Sequence, residues 1–337
     1  MKYNIAIVGA TGKVGAEIFQ ILDQVKFPVK TVYALASNKS VGKQVSFGED
    51  KVVAVSALEG FDFKGVDIAF FSAGSAVSKK YVPIATKAGA VVIDNTSYFR
   101  MDKDVPLVVP EVNEDDIALF KTRNIIANPN CVAIPLSVVL NPIHEELGLK
   151  KVVVSTYQSV SGAGKRAMNE LYEQTRGVYI YKKIAPEIFQ RQIAFNLIPQ
   201  IDIFESNGFT KEETKIMVEF GKIVDTNINI VATSVRVPVF LGHSISVHIE
   251  CEESSSVKDV QKILSNSLGI IITDLDDNSQ YITPTEVAGK DEVYVSRIRE
   301  SPYSNKEFSL WIVADNIRKG AALNAIQIAR VLVEKFL

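Results

Sequence analysis

The segment Gly9-Ala10-Thr11-Gly12-Lys13-Val14-Gly15 limits what this chain can fold into more than any other. A short β-branched run at residues 5–8 leads into it. After it, Val14, Ile18, Ile21, Leu22 and Val25 recur at helical spacing. A strand, a glycine turn and a helix in that order form the context of a dinucleotide-phosphate loop. The glycines allow a tight turn and close backbone approach to a pyrophosphate. The helix start supplies unpaired N–H groups and a partial positive charge. The spacing is G-x-x-G-x-x-G rather than G-x-G-x-x-G, so a glycine turn that serves packing alone is the competing reading.

The alternation continues. Residues 32–35, 68–71 and 91–93 are unbroken apolar runs, as suits a parallel sheet covered on both faces. This predicts a doubly wound α/β domain that ends near 128–129. Beyond it the pattern changes. Strand candidates at 151–155, 229–236, 244–251 and 308–313 include several that alternate polar with apolar residues. A helix is expected over 257–268, with polar loops at 252–256 and 274–279. The second part therefore reads as an α+β domain. A last helix, 321–336, carries Ala322, Ala325, Ile326, Ala329 and Leu332 on one face, and is expected to return to the first domain. A length of 337 residues suits about two domains.

Composition excludes several classes. Lys and Arg number 37 against 39 Asp and Glu, which disfavours a nucleic-acid binder. The longest apolar run, 131–140, is far short of the roughly 20 residues of a membrane span. The N-terminal run stops at Gly9, so no signal peptide is expected. Two cysteines cannot build a disulfide framework. Together these predict a reduced, cytoplasmic compartment. Three scattered histidines and two distant cysteines predict no metal site.

The chemistry-bearing positions follow. NAD sites place an acid after the second strand, about 20 residues past the glycines. Here that segment is Ala36-Ser37-Asn38-Lys39-Ser40, whose hydroxyls and cation suit a 2′-phosphate and hence NADP. Cys131, in Asn128-Pro129-Asn130-Cys131, lies where a turn runs into a helix. A helix start stabilises a thiolate, although a lone cysteine can equally be a buried, inert one. Cys251, late in a strand, fits the inert reading. Among His144, His243 and His248, the first reads as a surface residue and the last as structural. His243 ends the segment Arg236-Val237-Pro238-Val239-Phe240-Leu241-Gly242-His243. An imidazole there can shuttle a proton, and Arg236 offers a fork for a carboxylate. Gln158 opens a second glycine-rich loop, Ser159-Val160-Ser161-Gly162-Ala163-Gly164.

Ten segments in order closely resemble the aspartate-β-semialdehyde dehydrogenase family, essentially end to end. They are GATGKVG, LASNKSVGK, FSAGSAVSK, IDNTSYFRMD, VVPEVN, NPNCVAIP, YQSVSGAGK, KEETKIMVE, RVPVFLGHS and DNIRKGAALNAIQIA. The resemblance implies a Rossmann-type NADP-binding domain, 1–129, completed by a C-terminal helix, 318–337. A catalytic and dimerisation domain, 130–317, would carry a mixed, largely antiparallel sheet. It implies Cys131 as the acyl-thioester nucleophile, His243 as acid/base and Gln158 as the residue that positions substrate. Arg236 would clamp the substrate carboxylate and Glu212 its amino group. Arg100, Asn130 and Lys215 match phosphate-holding positions. Gly9, Thr11, Gly12, Lys13, Val14, Ser37, Lys39, Ser40, Ser161, Gly162 and Asn316 match NADP positions, with Ser72 and Gly74 by the nicotinamide. The implied reaction is NADPH-dependent reduction of L-aspartyl 4-phosphate, within lysine, threonine and methionine biosynthesis, by a homodimer. The chain departs from the pattern at Lys39, commonly Arg, and at Ser75, often Gly. N-acetyl-γ-glutamyl-phosphate reductase runs the same chemistry on an acetylated substrate, but the context of its cysteine differs. A non-catalytic NADP sensor on this fold would have no use for Cys131, Gln158, Arg236 and His243 together.

Overall fold

The computed structural model describes residues 1–48, 51–273 and 281–337; the expected loop at 274–279 lies outside them. The chain divides into two compact units, residues 1–130 with 321–337, and residues 131–320.

The first unit runs β1 (Tyr3–Val8), α1 (Lys13–Gln24), β2 (Val29–Ala36), β3 (Gln44–Phe47), β4 (Lys51–Ala57), β5 (Ile68–Phe71), α2 (Ser75–Lys87), β6 (Val91–Asp94), α3 (Pro110–Asn113) and β7 (Ile125–Ala127). Its sheet has the order β3-β4-β2-β1-β5-β6-β7. Every pairing is parallel except β3 with β4. Strand order reverses around β1, which has β2 on one side and β5 on the other. In such sheets the crevice at the strands' carboxyl ends is the ligand site. The sequence reading found β1, β2, β5 and β6 but not β3, β4 or β7. β3 and β4 form an edge hairpin whose residues are mostly exposed or half-buried, so no unbroken apolar run marks them. β7 is only three residues long.

The second unit runs α4 (Ala133–Leu147), β8 (Leu149–Gln158), α5 (Lys165–Tyr179), α6 (Lys211–Ile223), β9 (Asn229–Arg236), β10 (His243–Cys251), α7 (Val257–Ser265), β11 (Ile270–Ile272), α8 (Pro284–Val287), β12 (Val293–Ser301) and β13 (Ser304–Ala314). The sheet order is β11-β12-β13-β10-β8-β9. The outer pairs β11/β12 and β8/β9 are parallel, and the three inner pairings are antiparallel. Helices α4, α6 and α7 pack together against one face. Helix α7 stops three residues before the expected end, where Asn266 caps it and the Ser267 hydroxyl returns to the Ile263 carbonyl. Such local bonds compete with further helix.

After β13 the chain makes one π-helical turn, Arg318–Ala322, and then α9 (Leu323–Lys335). The α9 residues Ala325, Ile326, Ala329 and Leu332 join the first unit's core, with Ile5, Ile7, Phe19, Phe70 and Ile93. Asn324 secures it, donating to the Val108 carbonyl (2.9 Å) and to Asn128 Oδ1 (2.7 Å). No helix among the described residues is long and apolar enough to cross a membrane.

Candidate active site

In the first unit, a crevice of about 750 Å³ opens at the ends of β1, β2, β4 and β5. Gly9, Thr11, Gly12, Ser37, Lys39 and Ser72 line it, with Asn38, Glu59 and Tyr81. The glycine turn is stitched to the sheet, with Gly9 N–H and Ala10 N–H both donating to the Leu35 carbonyl. Gly9 has φ +91°, and a Cβ there would lie 2.8 Å from the Ser72 carbonyl oxygen, so glycine is required. No side chain caps α1 at Gly12, which leaves the helix-start N–H groups to face an anion. Lys13, Val14 and Ser40 flank the crevice without being part of its wall. Gly74 caps α2 with φ +92°. Asn38 donates to Glu59 (3.0 Å), a carboxylate the sequence reading missed because the strand before it, β4, went unrecognised.

Arg100 belongs to the same unit and is buried. Its Nε donates to the Asn128 carbonyl (2.9 Å) and its Nη2 to the Asn95 carbonyl (2.8 Å). Asn130 is also buried. Burial holds the Asp94 carboxyl above its usual range, against hydrogen bonds from Thr96 and Ser78 and the charge of Arg100.

In the second unit, Cys131 is half-buried just before α4. A Cβ on Gly320 would lie 3.2 Å from the Cys131 Cβ and 3.1 Å from its carbonyl oxygen. Glycine at this position lets the π-helical turn pass close to Cys131 without displacing it. Gln158 and Arg236 end the parallel strands β8 and β9 and are register partners. Their side chains therefore share a face, the one covered by α6. Gln158 Nε2 donates to Glu212 Oε1 (3.3 Å), and the other Glu212 oxygen pairs with Lys215 at 3.6 Å. Lys215 also pairs with Asp202 (2.7 Å), a partner the sequence reading did not name. Arg236 Nη1 donates to the Ser159 carbonyl (2.7 Å). Burial lowers the Arg236 pKa, while the charges of Glu212 and Cys131 oppose that shift. The thiol thus lies within electrostatic reach of the guanidinium.

His243 opens β10 and is 1% exposed. Burial, then the neighbouring Arg236 cation, pushes its pKa down to about 3, and the Gly242 carbonyl opposes this only in part. Its Nδ1 receives the Ser159 backbone N–H at 3.1 Å, with the Ser159 hydroxyl also 3.1 Å away. Asn316 anchors the group, because its Oδ1 accepts from Gly242 N–H (3.0 Å) and from the Ser159 and Ser161 hydroxyls (3.2 and 3.1 Å). Ser161, Gly162 and Asn316, expected at the cofactor, thus surround the imidazole in the second unit. Ser159, a loop serine to which the sequence assigns no role, gives its N–H to the ring. His144 is half-buried, where its Nδ1 accepts the Leu149 N–H at the end of α4. Cys251 is fully buried, and burial pushes its thiol up to about 11, which suits an inert cysteine. Among the described residues no cluster of His, Cys, Asp and Glu could hold a metal ion.

Residues 4–120 match the family described as semialdehyde dehydrogenase, NAD binding domain. Residues 140–319 match semialdehyde dehydrogenase, dimerisation domain. The aspartate-semialdehyde dehydrogenase of Rickettsia bellii is 52% identical over 336 residues, covering 100% of this chain and 99% of that one. That of Aquifex aeolicus is 48% identical over 338 residues, 99% of each. A crystal structure of aspartate semialdehyde dehydrogenase II from Vibrio cholerae, complexed with ASA, superposes with a TM-score of 0.96. It shares 47% identity and both chains are fully covered. Domain content, identity along the whole length and backbone agreement converge, and the chain belongs to the aspartate-semialdehyde dehydrogenase family.

Proposed function

We propose that this enzyme reduces L-aspartyl 4-phosphate to L-aspartate 4-semialdehyde with NADPH, releasing phosphate through a thioester on Cys131. Its product would serve lysine and diaminopimelate, threonine and methionine synthesis in the cytoplasm. The observation that carries this reading is the grouping in the second unit of a helix-start thiol, a buried guanidinium, an amide and a buried imidazole.

Cys131 attacks the acyl carbon as a thiolate, favoured by the α4 start and by the Arg236 charge. Arg236 holds the substrate α-carboxylate through its fork. Glu212, ion-paired with Lys215 and bonded by Gln158, meets the substrate ammonium. An acetylated substrate has no ammonium to meet that carboxylate, which favours aspartyl phosphate over N-acetyl-γ-glutamyl phosphate. Gln158 orients the acyl group. Arg100, Asn130 and Lys215 offset the charge of departing phosphate. Backbone N–H groups at the α4 start hold the tetrahedral oxyanion, and His243 serves as the acid/base.

The crevice fits a nicotinamide dinucleotide: it has an uncapped helix start, a glycine that only tolerates hydrogen toward Ser72, and about 750 Å³ of space. A bound NADPH supplies the hydride. Ser37, Lys39 and Ser40 would hold its 2′-phosphate, and Gly9, Thr11, Gly12, Lys13 and Val14 its pyrophosphate. Lys39 brings charge without a bidentate fork, and Glu59 shares the crevice, so some NAD use is expected.

The test is the reverse reaction. Aspartate semialdehyde, NADP and phosphate are mixed and NADPH absorbance is followed, with NAD in a parallel cuvette. A phosphate-dependent rise, faster with NADP, is expected. Cys131→Ala should abolish it while NADPH still binds. An absent rate from folded wild-type protein, or a phosphate-independent one, contradicts the reading.

A further inference from the structure

We propose that Glu59 is a specificity-determining residue of the cofactor crevice. Its carboxylate accepts from the 2′-hydroxyl of NAD and repels the 2′-phosphate of NADP, and so sets the ratio in which the enzyme takes the two. This rests on the dinucleotide reading of the crevice above and deepens it.

A nicotinamide site that prefers a 2′-hydroxyl places a carboxylate at the end of the second strand. Residues 36–40 hold none. The fold brings one from the neighbouring strand. β2 and β4 run parallel with Ala36 opposite Ala57. The ladder continues one bond further, from the Leu58 N–H to the Ala36 carbonyl at 2.9 Å. Both segments therefore leave the sheet together at its carboxyl edge. Asn38 opens a short 3-10 turn, Asn38–Ser40, and its Nδ2 donates to Glu59 Oε2 at 3.0 Å. Residues 21 positions apart in the chain thus meet in the wall of one crevice.

Charge decides what this carboxylate does. Ser37, Asn38, Lys39 and Glu59 line the crevice together. Lys39 follows Asn38 in the chain and Glu59 is bonded to its amide, so a cation and an anion border the same polar segment. A 2′-phosphate gains from the first and loses to the second. A 2′-hydroxyl finds in Glu59 a charged acceptor, the stronger kind. The bond from Asn38 uses one acceptor position of a carboxylate that has about four, so the group can be fixed by the amide and still accept from a ligand. A lone surface glutamate would swing away from an arriving phosphate, whereas this one is held. Glu59 is exposed at the crevice wall, which makes both effects moderate and sensitive to salt.

A brace for the 3-10 turn would serve equally well without charge, and this separates the two roles. Glu59→Gln keeps an oxygen for Asn38 and an acceptor for a hydroxyl, and removes only the charge. Glu59→Ala removes the acceptor as well.

Calorimetric titration of the folded enzyme with NADP and with NAD, in the absence of substrate, is the test. Glu59→Gln is expected to bind NADP about fivefold more tightly and NAD about twofold more weakly, a shift of about tenfold in the ratio of dissociation constants. In Glu59→Ala the NAD affinity should fall about tenfold while NADP again binds more tightly. Salt at about 0.5 M should erase most of the NADP difference between wild type and Glu59→Gln, because exposed charges are screened within a few ångströms there. The same order should appear in kcat/KM for the reverse reaction with the two cofactors. An equal change for both cofactors in Glu59→Gln would make Glu59 a contact for the shared adenosine or a brace for the turn, and would overturn the proposal. So would an unchanged ratio, or an NADP difference that salt leaves intact. Wild-type protein that binds neither dinucleotide would sink the crevice reading and this inference with it. Binding with the expected shift but no turnover would leave Glu59 assigned and contradict the thioester reaction alone.

Discussion

His243 has a consequence for stability as well as chemistry. An unfolded chain exposes it at its ordinary value of 6.5, while the folded site holds it near 3. Above pH 6.5 both states are neutral, and the fold bears no charging penalty. Between those values the unfolded state binds the proton and the native state does not. Stability therefore falls as pH falls through this window. At pH 5 the loss from this one group is about 2 kcal/mol. Urea midpoints of wild type and His243→Gln at pH 7.5 and pH 5 check it. The wild type should lose more on acidification, and identical losses would mean the ring is not held neutral. The glycines act at the same scale. Gly320→Ala would press a methyl against Cys131, moving the nucleophile rather than unfolding the chain.

Among elements, α6 links folding to the site most directly. Thr210 caps it: its hydroxyl accepts the Glu213 N–H, and the Glu213 carboxylate accepts the Thr210 N–H at 2.7 Å. The second Glu213 oxygen takes the Ser234 N–H of β9 at 2.8 Å, so one carboxylate joins helix to strand. The first turns of this helix carry Glu212 and Lys215. Thr210→Ala should cost about 1 kcal/mol of stability and raise the KM for aspartate semialdehyde by loosening Glu212. Denaturation and steady-state kinetics read the two effects separately. A stability loss with an unchanged KM would mean that the cap supports the fold alone. β8, β9 and β10 make the complementary contribution, since their ends deliver Gln158, Arg236 and His243 to one place.

For the whole molecule, the informative surface is the sheet face of the second unit opposite α4, α6 and α7. Val153 and Val231 are 38% and 46% exposed there, on the paired strands β8 and β9. Tyr157 and Trp311 pack together nearby at 5.5 Å between ring centroids. A broad half-exposed sheet face of this kind marks an association surface, and this is the unit matching the dimerisation domain. We expect a homodimer built on it. Val153→Arg combined with Val231→Arg should give a monomer by sedimentation, where a retained dimer would place the interface elsewhere. Each unit keeps its own core, and the crevice and the thiol site draw on different units.

The sequence alone determined the parts whose physics is local. Gly9-Ala10-Thr11-Gly12 announced a strand-to-helix anion loop because a tight turn needs glycine wherever it occurs. Unbroken apolar runs marked β1, β5 and β6 because a strand buried on both faces has no polar positions. The order of ten segments marked the family. Tertiary structure decided what depends on distant residues meeting. The edge strands β3 and β4 carry no apolar run, since their partner rather than their composition defines them. Ser159 looks like one more loop serine until β10 brings His243 against its N–H, 84 positions away in the chain. Asn316 reads as a free amide until folding surrounds it with Gly242, Ser159 and Ser161. Charge state follows the same rule. An imidazole is held neutral by burial and by a neighbouring guanidinium, and neither exists before the chain closes around them.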